Sequence, residues 1–243
     1  MSIDLTFKSM SPWEDRLGSL IALLGEQASF RPDKWGLTED RLRVFTSSDL
    51  RLIQETWDRY HGIRIQSANS LMMFEWWPKC EIPGWFSMSV DAGFFASSDN
   101  IQTFLEFATS IYRWGDMVHG YACHWQDFER KNTLPRPTMI EGKLIATGGM
   151  DIRKCLPGIY WANFFGKSYV QWFGENTLIS APCFERRPLP NGGILLLSAS
   201  TPLDYAKADA QRREWAMRRH LGEDAFFDKN NPKRLCRSPF DER

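Results

Sequence analysis

The sequence predicts an α+β fold, in which helices pack against a mainly antiparallel sheet of about six strands. Three observations lead to this fold class. The spacing of apolar residues changes along the chain between the period of about 3.6 typical of helices and the period of 2 typical of strands. Two predicted hairpins each precede a long helix. Residues 156–174 carry seven aromatic side chains among glycines, and so much apolar surface has to be buried against neighbouring elements.

Residues 1–65 are predicted to form an N-terminal helical segment. Apolar residues recur at helical spacing over residues 13–24, which indicates a first helix. A loop is expected over residues 31–48, because this stretch is polar and contains proline and glycine. A second helix is expected to follow Ser48 or Asp49, since either side chain is a favourable N-cap.

A hairpin, a helix and a third strand are predicted next. Residues 71–77 and 85–95 form the two strands of the hairpin, and apolar and polar side chains alternate along the second of them. This alternation is typical of a sheet with one buried face. A long helix that ends at Gly115 follows, and residues 121–128 are predicted to form the third strand.

The second half of the chain contains the aromatic stretch and the least regular region. Residues 129–155 show no clear period, so we predict a long connection there, which would also be a seam within an α+β domain spanning residues 66–243. The whole chain is expected to be a single compact domain. The remaining predicted elements are a strand at 159–165, a helix at 168–173 ended by Gly174, a strand at 177–187, a tight turn at Asn191-Gly192, a strand at 194–199 and a helix at 202–220.

The composition favours a cytoplasmic protein that binds neither nucleic acid nor membrane. Basic and acidic residues each number 30, so the formal net charge is zero, whereas dedicated nucleic-acid binders carry a basic excess. No stretch approaches the ~18 apolar residues of a membrane span, and the N-terminus lacks the pattern of a signal peptide. The five cysteines are scattered without a Cys-x-x-Cys pair, and we expect reduced thiols.

Four carboxylates stand out as candidate functional groups. Glu75 interrupts an apolar strand, Asp91 closes the polar face of the neighbouring strand, and Asp127 and Glu129 lie near the third strand. Paired carboxylates perform acid–base chemistry or bind metals, so one alternative is a hydrolase-type enzyme that uses Glu75, Asp91 and His124. The other alternative is that they are polar residues on a solvated sheet face. No nucleophile motif, metal-ligand spacing or phosphate loop accompanies them, so no catalytic residue, metal or cofactor is predicted.

Three tryptophans, Trp76, Trp77 and Trp85, cluster around the loop of the predicted hairpin. Adjacent residues of a strand point to opposite faces of the sheet, so Trp76 and Trp77 cannot both face one core. One of them is expected to be covered by another element or to be offered to a partner, because tryptophan is a preferred anchor of protein interfaces.

Several blocks of the second half are similar to blocks found in immunity proteins of bacterial polymorphic-toxin and type VI secretion systems. The most distinctive is Gly158-Ile-Tyr-Trp-Ala-Asn-Phe-Phe-Gly166, and the others are Pro188-Leu-Pro-Asn-Gly-Gly-Ile-Leu-Leu196 and Arg218-Arg-His-Leu-Gly-Glu-Asp-Ala-Phe-Phe-Asp228. The resemblance covers roughly residues 70–240. It implies a cytoplasmic α+β protein that binds and neutralises one cognate toxin without a cofactor.

The leading hypothesis is therefore a non-enzymatic toxin-neutralising protein. Immunity proteins against nucleases are often acidic, so the neutral charge of this chain does not favour a nuclease as the toxin. The hydrolase remains an alternative, as does a phage or mobile-element accessory protein that binds another protein, and a homodimer is compatible with each. The predicted binding residues are Trp76, Trp77, Trp85, Glu75, Asp91, Asp127 and Glu129.

Overall fold

The computed structural model of the protein describes residues 1–140 and 143–240. The chain divides into two compact units, Met1–Gly120 and Tyr121–Arg243. The predicted α+β class is confirmed, with seven α-helices in the described residues. The expected number of strands was too low, because the main sheet has ten strands and not about six.

The first unit is a sheet covered by three helices. Its strands lie in the order β1-β6-β5-β4-β2-β3, and the pairs between them are antiparallel. The strands are β1 (Ser2–Ser9), β2 (Lys34–Gly36), β3 (Arg43–Val44), β4 (Gly62–Gln66), β5 (Ser70–Trp76), β6 (Gly84–Asp91) and the beginning of β7 (Met117–His124), and the helices are α1 (Leu17–Glu26), α2 (Leu50–Tyr60) and α3 (Ser98–Gly115).

The expectation that residues 1–65 are a helical segment is only partly right. Both predicted helices are present, and a capping box between Thr46 and Asp49 opens the turn before α2. However, β1 begins at Ser2, and the expected loop over residues 31–48 holds β2 and β3. Burial alternates strictly along β1, so its period of 2 was present in the sequence and overlooked, whereas β2 and β3 are too short to show a period.

Aromatic side chains fill the core between the helices and the sheet of the first unit. The ring of Phe7 on β1 lies 6.2 Å from that of Tyr112 on α3, and the ring of Phe74 on β5 lies 5.8 Å from that of Trp114. Trp13 is fully buried and its Nε1 donates to the carbonyl of Gly115, at 3.1 Å. One face of the sheet therefore packs against the helices and forms the core. The side chains on the other face are half-buried or exposed.

The second unit contains shorter elements. Three of its strands lie in the order β11-β12-β10, and β8 and β9 form a separate two-stranded sheet. Its elements after β7 are α4 (Trp125–Asn132), β8 (Thr133–Ile140), β9 (Lys143–Thr147), β10 (Ala162–Phe165), α5 (Lys167–Phe173), α6 (Glu175–Ile179), β11 (Glu185–Pro188), β12 (Ile194–Leu197) and α7 (Ala208–Leu221).

Local signals located several of these elements correctly. Gly174 ends α5 with a positive φ of 87°. Asn191 and Gly192 have φ values of 60° and 76° in the turn between β11 and β12, as the Asn-Gly pair predicted. All four residues of β12 are buried, which explains why its sequence does not alternate.

Three predictions for the second unit are wrong. The strand expected over residues 121–128 stops at His124, because the Nδ1 of His124 accepts the N–H of Gln126 and caps α4. The first three residues of the strand expected over residues 177–187 belong to α6, and β11 begins only at Glu185. The connection expected over residues 129–155 contains the β8–β9 pair, whose intervening residues 141–142 lie outside the described ranges. The domain boundary at residue 65 and the seam at residues 129–155 stay predictions.

The C-terminal segment is held to the second unit by a disulfide between Cys155 and Cys236, whose Cα atoms are 5.4 Å apart. The expectation of five reduced thiols is therefore wrong for this pair, and Cys80, Cys123 and Cys183 take no part in a disulfide within the described residues. Phe226 is fully buried and forms an isolated bridge with Leu156, so it anchors this segment. None of the described helices combines the length and apolar character required to cross a membrane.

Candidate functional site

The face of the first unit's sheet that points away from the helices gathers several of the predicted residues. The backbone register places Glu75 on β5 opposite Trp85 on β6, and Trp85 opposite Lys8 on β1. Arg64 projects from β4 on the same face and its Nη1 lies 3.3 Å from Oε1 of Glu75. We call these residues, together with Trp77, the outer face of the first unit.

The outer face combines two indole rings with opposite charges. The ring centroids of Trp77 and Trp85 are 6.1 Å apart, and the Nζ of Lys8 lies 3.7 Å from the centroid of Trp85. All of these side chains are half-buried. The Nε1 of Trp85 is buried and has no hydrogen-bond partner among residues 1–140 and 143–240. A half-buried aromatic centre with charges around it is the usual composition of an interface hot spot.

Trp76 lies on the opposite face of the sheet from this centre. Only 4% of Trp76 is exposed, and its ring lies 4.4 Å from that of His61 and 6.3 Å from that of Trp57 on α2. The prediction that Trp76 and Trp77 point to opposite faces is therefore confirmed. Trp76 contributes to the core, and of the three predicted tryptophans only Trp77 and Trp85 can reach a partner.

The structure does not bring Glu75 and Asp91 together. Glu75 pairs with Trp85 at one end of β6, and Asp91 lies six residues further along the strand, which corresponds to about 20 Å. The Oδ1 of Asp91 accepts the N–H of Gly93 at 2.7 Å and so caps the turn that follows. These two carboxylates cannot share a proton or a metal ion. His124, the third residue of the hydrolase hypothesis, belongs to the second unit, where its ring stacks on Tyr205 at 4.2 Å.

Asp127 and Glu129 lie on α4 and not on a strand. Glu129 is exposed, whereas only 1% of Asp127 is exposed. The Oδ1 of Asp127 accepts from the guanidinium of Arg130 at 2.5 Å, and its Oδ2 accepts from the Nζ of Lys131 at 2.7 Å. Asp127 is thus occupied by internal partners, while Glu129 remains on the surface of the helix.

A second carboxylate, Glu214 on α7, completes this group and was not singled out from the sequence. The Nζ of Lys131 donates to Oε2 of Glu214 at 2.6 Å and also to the carbonyl of Ile159 at 2.6 Å. We call Asp127, Arg130, Lys131 and Glu214 the buried ion cluster. A signal for Glu214 was available, because it shares the buried face of α7 with Ala210, Met217 and Leu221, at the spacing of one helix face.

The electrostatic balance of the buried ion cluster depends on Glu214. The pKa of the Glu214 carboxyl is raised to about 7, chiefly by burial and also by the negative charge of Asp127, although Lys131 and Arg130 oppose the shift. Among the described residues, no group of three metal-ligating side chains is found here or elsewhere.

Stability is expected to fall as the pH rises from about 4.5 to about 7. In this window the folded protein holds a proton on Glu214, whose pKa is raised to about 7, while the unfolded chain has released it, so the proton is bound more strongly by the folded state. The total change is about 3 kcal/mol. Urea unfolding of Glu214→Gln should lose this pH dependence, and the exposed Glu175→Gln should keep it. An unchanged pH profile in Glu214→Gln would show that the shift belongs to another group.

No protein-family model matches the chain, and no curated protein sequence matches it. Among solved structures, the chain is similar to a Pseudomonas aeruginosa protein titled T6SS protein PA0821, which names it as a protein of the type VI secretion system. The two are 13% identical and superpose with a TM-score of 0.59, over 90% of this chain and 72% of the other. At this identity the similarity shows a shared fold.

Proposed function

We propose that this protein is an immunity protein that neutralises a cognate bacterial toxin by binding it, in the context of type VI secretion. The outer face of the first unit carries this proposal. It presents Trp77 and Trp85 between Lys8 on one side and the Arg64–Glu75 ion pair on the other. The shared fold with a type VI secretion protein agrees with this setting.

Binding is favoured over catalysis because the predicted acid–base residues are engaged in structural contacts. Glu75 pairs with Arg64, Asp91 caps a turn, and Asp127 is held by Arg130 and Lys131. An interface needs none of these groups to change its protonation state. It needs large, rigid side chains that lose little conformational freedom on binding and polar groups around them that exclude water.

The toxin would contact the indole rings with apolar side chains and the surrounding charges with polar ones. Trp77 and Trp85 supply a rigid apolar area. Lys8, Arg64 and Glu75 carry both signs of charge. They would therefore determine the orientation in which the toxin docks and would not favour a toxin with a large net charge of either sign.

The test is co-expression with the product of the neighbouring gene as the candidate toxin, scored by growth and by co-purification. The wild-type protein is expected to restore growth and to co-purify with the toxin. Absence of both would reject the proposed function. Light scattering of the purified protein tests the predicted homodimer in the same preparation.

Trp77→Ala is expected to weaken toxin binding at least tenfold, because truncation of a central aromatic residue usually removes more than about 1.4 kcal/mol of binding free energy. The matched control is Trp125→Ala, which removes an indole that is 46% exposed in the second unit and should leave the dissociation constant within about twofold. Titration calorimetry with the purified toxin measures both. If both variants lost the same amount of affinity for the toxin, the toxin would not bind specifically at the outer face.

A further inference from the structure

The second unit contains a cavity of about 270 Å³ beside the buried ion cluster. Its walls are the end of α4, the backbone of residues 157–159, one side of α7 and the chain from Phe227 to Asn230. This volume is near the lower end of the range for small-molecule sites. Neither the outer face nor the proposed toxin contact involves this cavity.

The cavity is lined by more cations than anions. Four of its side chains are basic and two are acidic: Arg130, Lys131, Arg218 and Lys229 against Glu214 and Asp228. Lys131 is fully engaged with two carboxylates and a carbonyl, and Arg130 is engaged with Asp127. The excess of positive charge therefore lies with Arg218 and Lys229.

Arg218 is half-buried and forms no salt bridge with a carboxylate within the described ranges, although the charges of Asp228 and Glu223 favour its protonated form. Its Nη2 donates to the carbonyl of Phe227 at 3.1 Å, and the guanidinium lies 5.7 Å from the ring centroid of Phe226. Burial and the nearby Arg234 lower the pKa of Arg218, because both disfavour its charge. A guanidinium in this position gains most from an anion, which it can bind with two parallel hydrogen bonds.

Two aromatic residues provide an apolar wall next to this positive charge. Trp215 lines the cavity and is 57% exposed, while Phe227 is buried behind the opening. The guanidinium of Arg219 lies 4.6 Å from the indole centroid of Trp215, which helps to hold the ring in place. On the other side, the Nζ of Lys229 donates to the carbonyl of Arg130 at 2.7 Å, so the ammonium is held at the rim of the cavity.

We propose that this cavity binds a small organic anion, with its carboxylate or phosphate group on Arg218 and Lys229 and its apolar body against Trp215 and Phe227. The anion supplies the directly hydrogen-bonded charge partner that Arg218, which donates to the carbonyl of Phe227, lacks among the described residues. The aromatic wall supplies affinity for a flat apolar group. The size of the cavity restricts the ligand to a small molecule.

The probes are benzoate, phenyl phosphate and the neutral benzamide, whose binding is measured by saturation-transfer NMR and titration calorimetry. At least one of the two anions is expected to bind tenfold or more tightly than benzamide, and comparison of the two identifies carboxylate or phosphate as the preferred group. Arg218→Gln should weaken binding of the preferred anion at least tenfold. The matched control is Arg212→Gln on the same helix, where the side chain is 73% exposed and pairs with Asp209, and it should bind as the wild type does.

Benzamide binding as tightly as the anions, or no binding of either anion at millimolar concentration, would overturn the proposal. Equal losses in Arg218→Gln and Arg212→Gln would overturn it as well, because they would place the anion outside the cavity. If Arg218→Gln fails to fold, Trp215→Ala takes its place. It removes an exposed side chain, and it should weaken benzoate or phenyl phosphate binding while leaving the melting temperature within a few degrees.

Discussion

Lys131→Met is expected to destabilise the second unit by about 3–5 kcal/mol. The methionine keeps an unbranched side chain of nearly the same length but removes the ammonium that binds Asp127 at 2.7 Å and Glu214 at 2.6 Å. The two carboxylates are 1% and 6% exposed at their side chains, and Arg130, at 2.5 Å from Asp127 and 3.9 Å from Glu214, would be left to balance both of them. Urea unfolding and the hydrogen-exchange protection of α4 and α7 measure the loss.

The control for this variant is Lys207→Met, whose ammonium pairs with Asp204 at 2.8 Å but is 70% exposed. An exposed ion pair contributes about 0–1 kcal/mol, so this variant should unfold nearly as the wild type does. The double variant Lys131→Met/Glu214→Gln should recover part of the lost stability, because it leaves Arg130 to balance only the carboxylate of Asp127. A loss for Lys131→Met no greater than that for Lys207→Met would show that the buried ion cluster does not stabilise the fold.

Loss of the Cys155–Cys236 disulfide is expected to destabilise the folded protein by about 4 kcal/mol. The two cysteines are 81 residues apart in sequence, and closing so long a loop removes much of the freedom of the unfolded chain. Cys236→Ser should melt well below the oxidised wild type and should be insensitive to reductant. The wild type should shift to a similar melting temperature when dithiothreitol is added.

The control for the disulfide is Cys80→Ser, which replaces an exposed free cysteine and should preserve both the melting temperature and its sensitivity to reductant. Denatured wild-type protein that has never been reduced should label at three cysteines, and labelling at all five would contradict the disulfide. The same labelling in intact cells bears on the predicted cytoplasmic location, because reducing compartments keep such pairs as thiols.

Local sequence patterns predicted part of the outer face of the first unit. Alternation along β6 correctly assigned one face of the hairpin to the core, and the rule that adjacent strand residues point apart correctly separated Trp76 from Trp77. The sequence did not show which of the two is buried. That depends on α2, whose Trp57 packs against Trp76, and no pattern within the hairpin refers to this helix.

The sequence alone determined the features that depend on a few neighbouring residues. These are the α+β class, the positions of the main helices, the end of α5 at Gly174 and the Asn191-Gly192 turn. Each follows from the period of apolar residues or from a backbone conformation that only certain residues adopt easily.

Only the tertiary structure decided the contacts between residues that are distant in sequence. Lys131 and Glu214 are separated by 83 residues and the cysteines of the disulfide by 81, and β2 and β3 are too short to have a period of their own. Such contacts form because folding brings the two segments together against the entropy of closing the chain between them. The energy that favours this closure comes from the whole core, so no local pattern at either segment identifies its distant partner.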